Sequence, residues 1–315
     1  MKKPIMVLAP MANVTDAAFR QIIAKYGKPD VMFTEFVACD GLVSAGRDKL
    51  LVDFMYTESQ RPIVAQIFGS KPENFYKTAL LIQELGFDGI DINMGCPDRN
   101  VEKQGAGACL MKNPKLAQEI IRETKRGAGK LPVSVKTRIG YNKNSLSEWL
   151  PALLETEPAA IILHARTRKE MSSVPADWGT IADAVRIRDE YKSKTLILGN
   201  GDVQDLADAE EKIQATGADG VMIGRGIFGN PWLFNRKIDY AKMPVAEKLR
   251  VMVEHTYLFE KVLGEHKNFA IMKKHYKAYV NGFDGAKELR VKLMEGAETA
   301  ADVERIVADF LKNLN

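Results

Sequence analysis

Short apolar runs alternate with amphipathic helical stretches, and this alternation limits what the chain can become. The runs lie at 5–9, 31–36, 63–68, 89–93, 133–137, 160–164, 195–199 and 220–223. Helical periodicity fills most gaps, at 17–26, 73–85, 115–125, 146–154, 181–191 and 206–216. Parallel strands need such crossovers, so the pattern predicts an α/β fold with a parallel sheet. Eight strand-helix units in about 235 residues match the size of a (β/α)8 TIM barrel. One gap is irregular: residues 38–61 carry no single helical period, which predicts a long loop with short helical pieces. The strand signal ends near 238. Four helices are expected beyond it, at 245–263, 269–280, 286–294 and 301–314, with a turn at Asn281-Gly282-Phe283-Asp284-Gly285. The expected division is therefore a barrel domain over 1–240 and a small all-helical domain over 241–315.

Composition narrows the classes. With 315 residues and 46% hydrophobic content, the chain supports one large core and an appendage. Three cysteines, Cys39, Cys96 and Cys109, give no disulfide framework, so a reducing, cytoplasmic setting is expected. The first nine residues resemble a leader, but Pro10, Asp16 and Arg20 follow closely, and a first strand is the better reading. No apolar run approaches the roughly 20 residues that span a bilayer, so no membrane partner is expected. The four histidines, His164, His255, His266 and His275, lack ligand spacing, so no metal is expected. Net charge is only +4, yet Lys267 to Lys292 holds seven basic residues against two acidic ones. Phe269, Tyr276, Tyr279 and Phe283 interleave with them. Such a face follows a phosphate backbone or is simply a solvated helix face.

The carboxyl ends of the strands carry polar or special residues almost without exception. They are Pro10-Met11, Glu35, Gln66, Asn93, Lys136 with Arg138, His164 with Arg166, Asn200-Gly201-Asp202 and Gly224-Arg225. In a barrel all eight ends converge on one opening, where this fold keeps its chemistry. The last two ends read as a phosphate site or as two glycine-containing turns. After the fourth strand comes Asn93-Met94-Gly95-Cys96-Pro97-Asp98, which holds a thiol in a stiff turn. Gly105-Ala106-Gly107-Ala108-Cys109 follows and is expected to be a flexible loop able to fold over a bound ring.

These residues resemble the tRNA-dihydrouridine synthases of bacterial type. The matching pieces are Leu8-Ala9-Pro10-Met11, Thr15-Asp16, Phe19-Arg20, Thr34-Glu35, Gln66-Ile67-Phe68-Gly69, Asp91-Ile92-Asn93-Met94-Gly95-Cys96-Pro97 and Gly107-Ala108-Cys109-Leu110-Met111. They continue as Val135-Lys136-Thr137-Arg138, His164-Ala165-Arg166-Thr167, Gly199-Asn200-Gly201-Asp202, Met222-Ile223-Gly224-Arg225-Gly226, Lys274-His275 and Gly285-Ala286-Lys287-Glu288-Leu289-Arg290. The resemblance implies FMN in a barrel, NADPH as reductant and a helical domain that helps hold tRNA, with the protein a monomer. The implied reaction reduces the C5=C6 bond of a uridine, with hydride to C6 and a proton from Cys96 to C5. A thiol of ordinary pKa, about 8.5, is mostly protonated near neutrality.

By the same resemblance Pro10, Met11 and Ala12 approach the isoalloxazine ring, and Gln66 and Lys136 bond its polar edge. His164, Asn200, Gly201, Asp202, Gly224 and Arg225 surround the ribityl chain and phosphate. Asn93 positions uracil or ring, and Arg138 and Arg166 face the RNA or substrate. Lys273, Lys274, Lys277 and Arg290 are the expected phosphate contacts of the helical domain. On the residues alone, Lys136 could equally pair with a carboxylate, and His164 could be a satisfied core histidine. Glu170, Ser172 and Val174 stand where the family commonly has glutamine, an aromatic and glycine, which bears on substrate position. Two other readings compete. One is a barrel oxidoreductase for a free pyrimidine, similar to dihydroorotate dehydrogenase; the other is a tRNA-binding protein without catalysis.

Overall fold

The computed structural model describes residues 4–313. Its strands are β1 (Ile5–Leu8), β2 (Met32–Ala38), β3 (Ile63–Phe68), β4 (Gly89–Met94), β5 (Val133–Arg138), β6 (Ala160–His164), β7 (Leu196–Asn200) and β8 (Gly220–Ile223). All pair in parallel, in the order β1-β8-β7-β6-β5-β4-β3-β2. A parallel bridge between Val7 and Val31 joins the two ends of the sheet, so the expected barrel is present. The helices in chain order are α1 (Ala17–Tyr26), α2 (Cys39–Leu42), α3 (Arg47–Leu50), α4 (Pro72–Glu84), α5 (Arg99–Glu102), α6 (Pro114–Ala128) and α7 (Leu146–Leu154). They continue as α8 (Gly179–Glu190), α9 (Leu206–Thr216), α10 (Val245–Leu263), α11 (Met272–Tyr279), α12 (Ala286–Gly296) and α13 (Ala300–Lys312). The irregular second gap is indeed broken into α2, α3 and two 3-10 turns. Leu314, to which the last helix was expected to run, lies outside the described residues.

Local chemistry explains where helices begin. Pro72 and Pro114 open α4 and α6, where a missing N–H removes no helical bond. Asp16, Asp205 and Thr299 cap α1, α9 and α13 by accepting from main-chain N–H groups. The strands run one or two residues past several expected ends, because Ala38, Met94, Arg138 and Asn200 still pair in the ladder. Arg138 aligns with His164, His164 with Asn200, and Asn93 with Lys136. The polar strand ends thus lie at matching levels, as a shared opening requires.

The chain forms two compact units, neither continuous in sequence. The first holds the barrel: the chain up to Pro10, Pro29–Phe54 and Arg61–Arg225. The second holds Met11–Lys28, Met55–Gln60 and the chain from Gly226 onward. Its core is built from α1, α10, α11, α12 and α13, with Phe19, Met252, Phe259, Met272, Leu289 and Val303 fully buried. Among the described residues, no helix is long and apolar enough to cross a membrane.

Two histidines lie inside this second unit. His255 and His275 have no exposed surface, and their rings meet edge to face with centroids 4.6 Å apart. Phe19 stacks on His255 at 4.8 Å. None of the four ring nitrogens finds a hydrogen-bond partner among the described residues. Burial pushes both rings toward the neutral form, His275 to about 3, with Lys274 adding to it. The unfolded chain binds these protons near pH 6.5, so stability is complete above that pH and is lost as pH falls below it. The slope is about 1.4 kcal/mol per pH unit for each histidine. Melting between pH 7.5 and 5 should therefore drop more steeply for the wild type than for a His255→Leu, His275→Leu double variant. Parallel curves would refute this account.

Candidate active site

The turn after β4 is organised by one side chain. Asn93 Oδ1 accepts from the main-chain N–H of Gly95 at 3.2 Å and of Cys96 at 2.9 Å. Asn93 Nδ2 donates to Gln66 Oε1 at 3.1 Å. Cys96 is half-buried, and burial pushes its thiol above the usual range, outweighing the Asp98 main-chain bond and the cations Lys136 and Arg138. The thiol therefore stays protonated at neutral pH.

The segment after it is not the flexible loop expected from its small residues. Gly107–Lys112 is a 3-10 turn, and Ala108 N–H donates to Cys96 O at 3.0 Å. Ala106 and Val101 pack with Phe68, against which the Cys96 side chain rests. Gly107 has φ +60°, and a Cβ there would lie 2.7 Å from Cys96 O and from Val101 Cγ1. The glycine serves close packing under the thiol rather than mobility. Cys39 is fully buried, and Cys109 points its sulfur at Glu102 O, 3.6 Å away. Both act as structural residues.

Strands β5 to β8 bring a cluster of cations together. Lys136, Arg138, Arg166 and Arg225 all depress the His164 imidazole, which burial drives down to about 2. Arg166 Nη1 lies 3.2 Å from His164 Nε2. Guanidinium only donates, so Nε2 accepts and Nδ1 carries the proton. Lys136 has one hydrogen bond, to Asn200 Oδ1 at 3.1 Å, and Asn200 in turn donates to Met222 O at 2.9 Å. Burial, and then Arg138, lowers Lys136 to about 8. Asp202 bonds Arg166, and Arg225 at 2.6 Å, and also accepts from Ala176 N–H at 2.9 Å. Gly201 has φ +123°, and a Cβ would lie 2.9 Å from Ala176 Cβ and 3.0 Å from His164. Arg225 is 66% exposed, and Gly224 precedes it at the end of β8. Four cations, one acidic partner and an imidazole held neutral give this end of the barrel a local excess of positive charge. Among the described residues Lys136 pairs with no carboxylate, and His164 is half-buried.

The two strand-end arginines are largely buried: Arg138 and Arg166 are 7% and 2% exposed, and both donate to main-chain carbonyls. Arg138 donates to Gly95 O at 2.9 Å and to Thr167 O and Met171 O at 3.1 Å. Arg166 donates to Val174 O at 2.6 Å. Burial of a guanidinium is tolerable here because these carbonyls and Asp202 meet its rigid fork. The atypical Glu170 closes the same loop, accepting from Thr167 N–H at 2.7 Å. A further tie joins Arg168 Nε to Glu102 Oε1 at 2.7 Å.

Pro10 ends the barrel unit's first segment, whereas Met11 and Ala12 belong to the second unit. There Met11 N–H donates to Thr15 Oγ1 at 2.8 Å, and Ala12 is exposed. Of the expected phosphate contacts, Lys273 spends its ammonium on Met294 O at 2.6 Å, and Arg290 spends a donor on Val280 O at 2.7 Å. Lys274 and Lys277 are exposed on α11.

Three participants carried no expected role: Asp91, Ser134 and the Glu102–Arg168 pair. Asp91 stood inside a quoted motif, and a charged residue at a central position of an apolar strand was a usable signal. Glu102 and Arg168 lie 66 residues apart, and nothing local links them.

The dihydrouridine synthase (Dus) family model matches residues 7–315. A probable tRNA-dihydrouridine synthase 2 of Bacillus subtilis (strain 168) is 40% identical over 311 residues, covering 98% of this chain and 94% of that protein. A probable tRNA-dihydrouridine synthase of Staphylococcus aureus (strain COL) is 40% identical over 312 residues, covering 98% and 93%. Among solved structures, histamine dehydrogenase from Rhizobium sp. 4-9 aligns with TM-score 0.53 and 14% identity, over 80% of this chain and 48% of that one. A 2-naphthoyl-CoA reductase complex aligns with TM-score 0.56 and 11% identity, over 74% and 49%. The chain thus spans about half the length of these two structures, and the likeness is one of fold.

Proposed function

Given that this chain belongs to the dihydrouridine synthase family, we propose that it reduces uridines in tRNA to dihydrouridine, using a bound FMN and NADPH. The observation that supports this most directly is the Cys96 thiol in a turn held by Asn93, on a barrel whose strand ends carry the Lys136, Arg166 and His164 cluster.

The residues fit the cofactor. A flavin mononucleotide brings a dianionic phosphate and a ring edge that becomes negative on reduction. His164 Nδ1–H, Arg225 and the close main chain at Gly201 suit the phosphate end. Lys136, which among the described residues bonds Asn200 alone, suits the ring edge, and the second N–H of the Gln66 amide, whose first goes to Asp91, is proposed there too. Asn200 orients Lys136, and Asp202 orients Arg225. Gly224, which directly follows β8, is proposed beside the phosphate. Bound there and reduced, the flavin would supply hydride chemistry toward C6 of the uracil.

The rest falls to the chain itself. Cys96 holds its proton on Sγ and delivers it to C5, so that one hydride and one proton saturate the double bond. Asn93 fixes the turn that presents the thiol. The uridine must leave its stack to reach a strand end. Lys274 and Lys277 are the free ammonium groups suited to its backbone, with Lys273 and Arg290 contributing less because each is bound to a carbonyl. Pro10 is proposed beside the ring, and Arg138 and Arg166 as holders of the loops that frame it. No separate nicotinamide motif marks the reductant.

The test is dihydrouridine formation in unmodified tRNA with FMN and NADPH. Product from tRNA and none from free uracil or orotate supports the proposal. Turnover of a free pyrimidine without RNA would favour the dihydroorotate dehydrogenase-like alternative.

A further inference from the structure

Asp91 has no exposed surface and sits within β4, register partner of Gln66 on β3. A lone carboxylate in a barrel wall is costly unless its oxygens are met. Both are: Ser134 Oγ donates to Oδ1 at 2.6 Å, and Gln66 Nε2 donates to Oδ2 at 2.7 Å. An ionised carboxylate only accepts. It therefore turns the Gln66 NH2 toward itself and the Gln66 carbonyl toward Asn93. Asn93 must answer with its own NH2, at 3.1 Å, which leaves its Oδ1 for the N–H groups of Gly95 and Cys96. Two amides, each able to flip in isolation, are held in one orientation.

We propose that Asp91 is a positioning residue: through Gln66 and Asn93 it holds the Gly95-Cys96 turn, and with it the thiol, in its working place. The inference rests on Cys96 as proton donor, but its first readout does not. Asp91 also favours the charged form of Lys136, which burial and Arg138 disfavour. One buried carboxylate thus serves both the thiol turn and the lysine.

The variants are Asp91→Leu, close in shape but without acceptors, and Asp91→Asn. The asparagine keeps an oxygen for Gln66 and turns its NH2 to the Ser134 hydroxyl. Iodoacetamide labelling of Cys96, followed by peptide mass spectrometry without tRNA, should run about fivefold faster in Asp91→Leu and within about twofold of wild type in Asp91→Asn. With tRNA, kcat should fall about tenfold in Asp91→Leu while KM changes less than about threefold, and Asp91→Asn should retain most activity. Cys39, fully buried, reports on the fold. If it labels too, Asp91→Ser, whose hydroxyl is too short to reach Gln66, replaces the leucine variant under the same criteria. Wild-type labelling of Cys96 in Asp91→Leu, or equal impairment of Asp91→Asn, overturns the proposal. Altered labelling with no dihydrouridine from any variant or the wild type upholds the positioning role and removes the functional reading instead.

Discussion

Cys96→Ala is expected to lower dihydrouridine formation by about a hundredfold or more while the flavin stays bound, since the loss of a general acid removes roughly that factor. The side chain rests on Phe68, Val101 and Ala106, and alanine removes only the sulfur from that contact. The turn itself survives, because Asn93 holds main-chain N–H groups and not the thiol. The pH dependence has a definite sign. Burial raises the thiol pKa, so the acid form persists through neutral pH and is lost only on the alkaline side of the ordinary thiol range. Activity attributable to Cys96 should therefore be flat near neutrality and fall as pH rises. Single-turnover assays of product by mass spectrometry, with flavin content read by absorbance, check both points. A variant that turns over at the wild-type rate would remove Cys96 from the reaction.

Arg138→Met should destabilise the barrel unit by about 3–5 kcal/mol and lower turnover by about tenfold or more. The guanidinium satisfies Gly95 O, Thr167 O and Met171 O, three carbonyls on two different loops. Methionine fills the space but leaves the buried Thr167 O bare, and the half-buried Gly95 O and Met171 O lose their charged donor. Arg138→Lys should fall between, because one ammonium cannot reproduce the fork. Urea titration measures the stability, and kcat and KM for tRNA, read separately, distinguish the two possible roles. A residue that contacts RNA would raise KM and leave the denaturation midpoint alone. A midpoint unchanged in Arg138→Met would sink the tethering role.

Much of the architecture is written locally. Alternating apolar and helical periods specify the eight strands, and Pro72, Pro114, Asp16 and Asp205 mark helix starts through bonds made within a few residues. The strand-end residues were also legible, because a period-two strand makes its last polar residue conspicuous. Arg138, His164 and Asn200 do lie at one level, and Asn93 lies level with Lys136. The Gly105–Cys109 segment misled, because glycine permits either mobility or close approach. Which one applies depends on Val101 and Cys96 O, contacts that no window around Gly107 contains.

The sequence by itself thus determined the barrel, the polar ring of strand ends and the thiol turn, because each rests on periodicity or on bonds between near neighbours. Only the tertiary structure decided what the polar groups do. Arg138 and Arg166 turned to main-chain carbonyls, Glu102 met Arg168, and Asp91 set the direction of two amides. Hydrogen-bond direction and burial depend on partners from other strands, and those partners exist only once the barrel has closed.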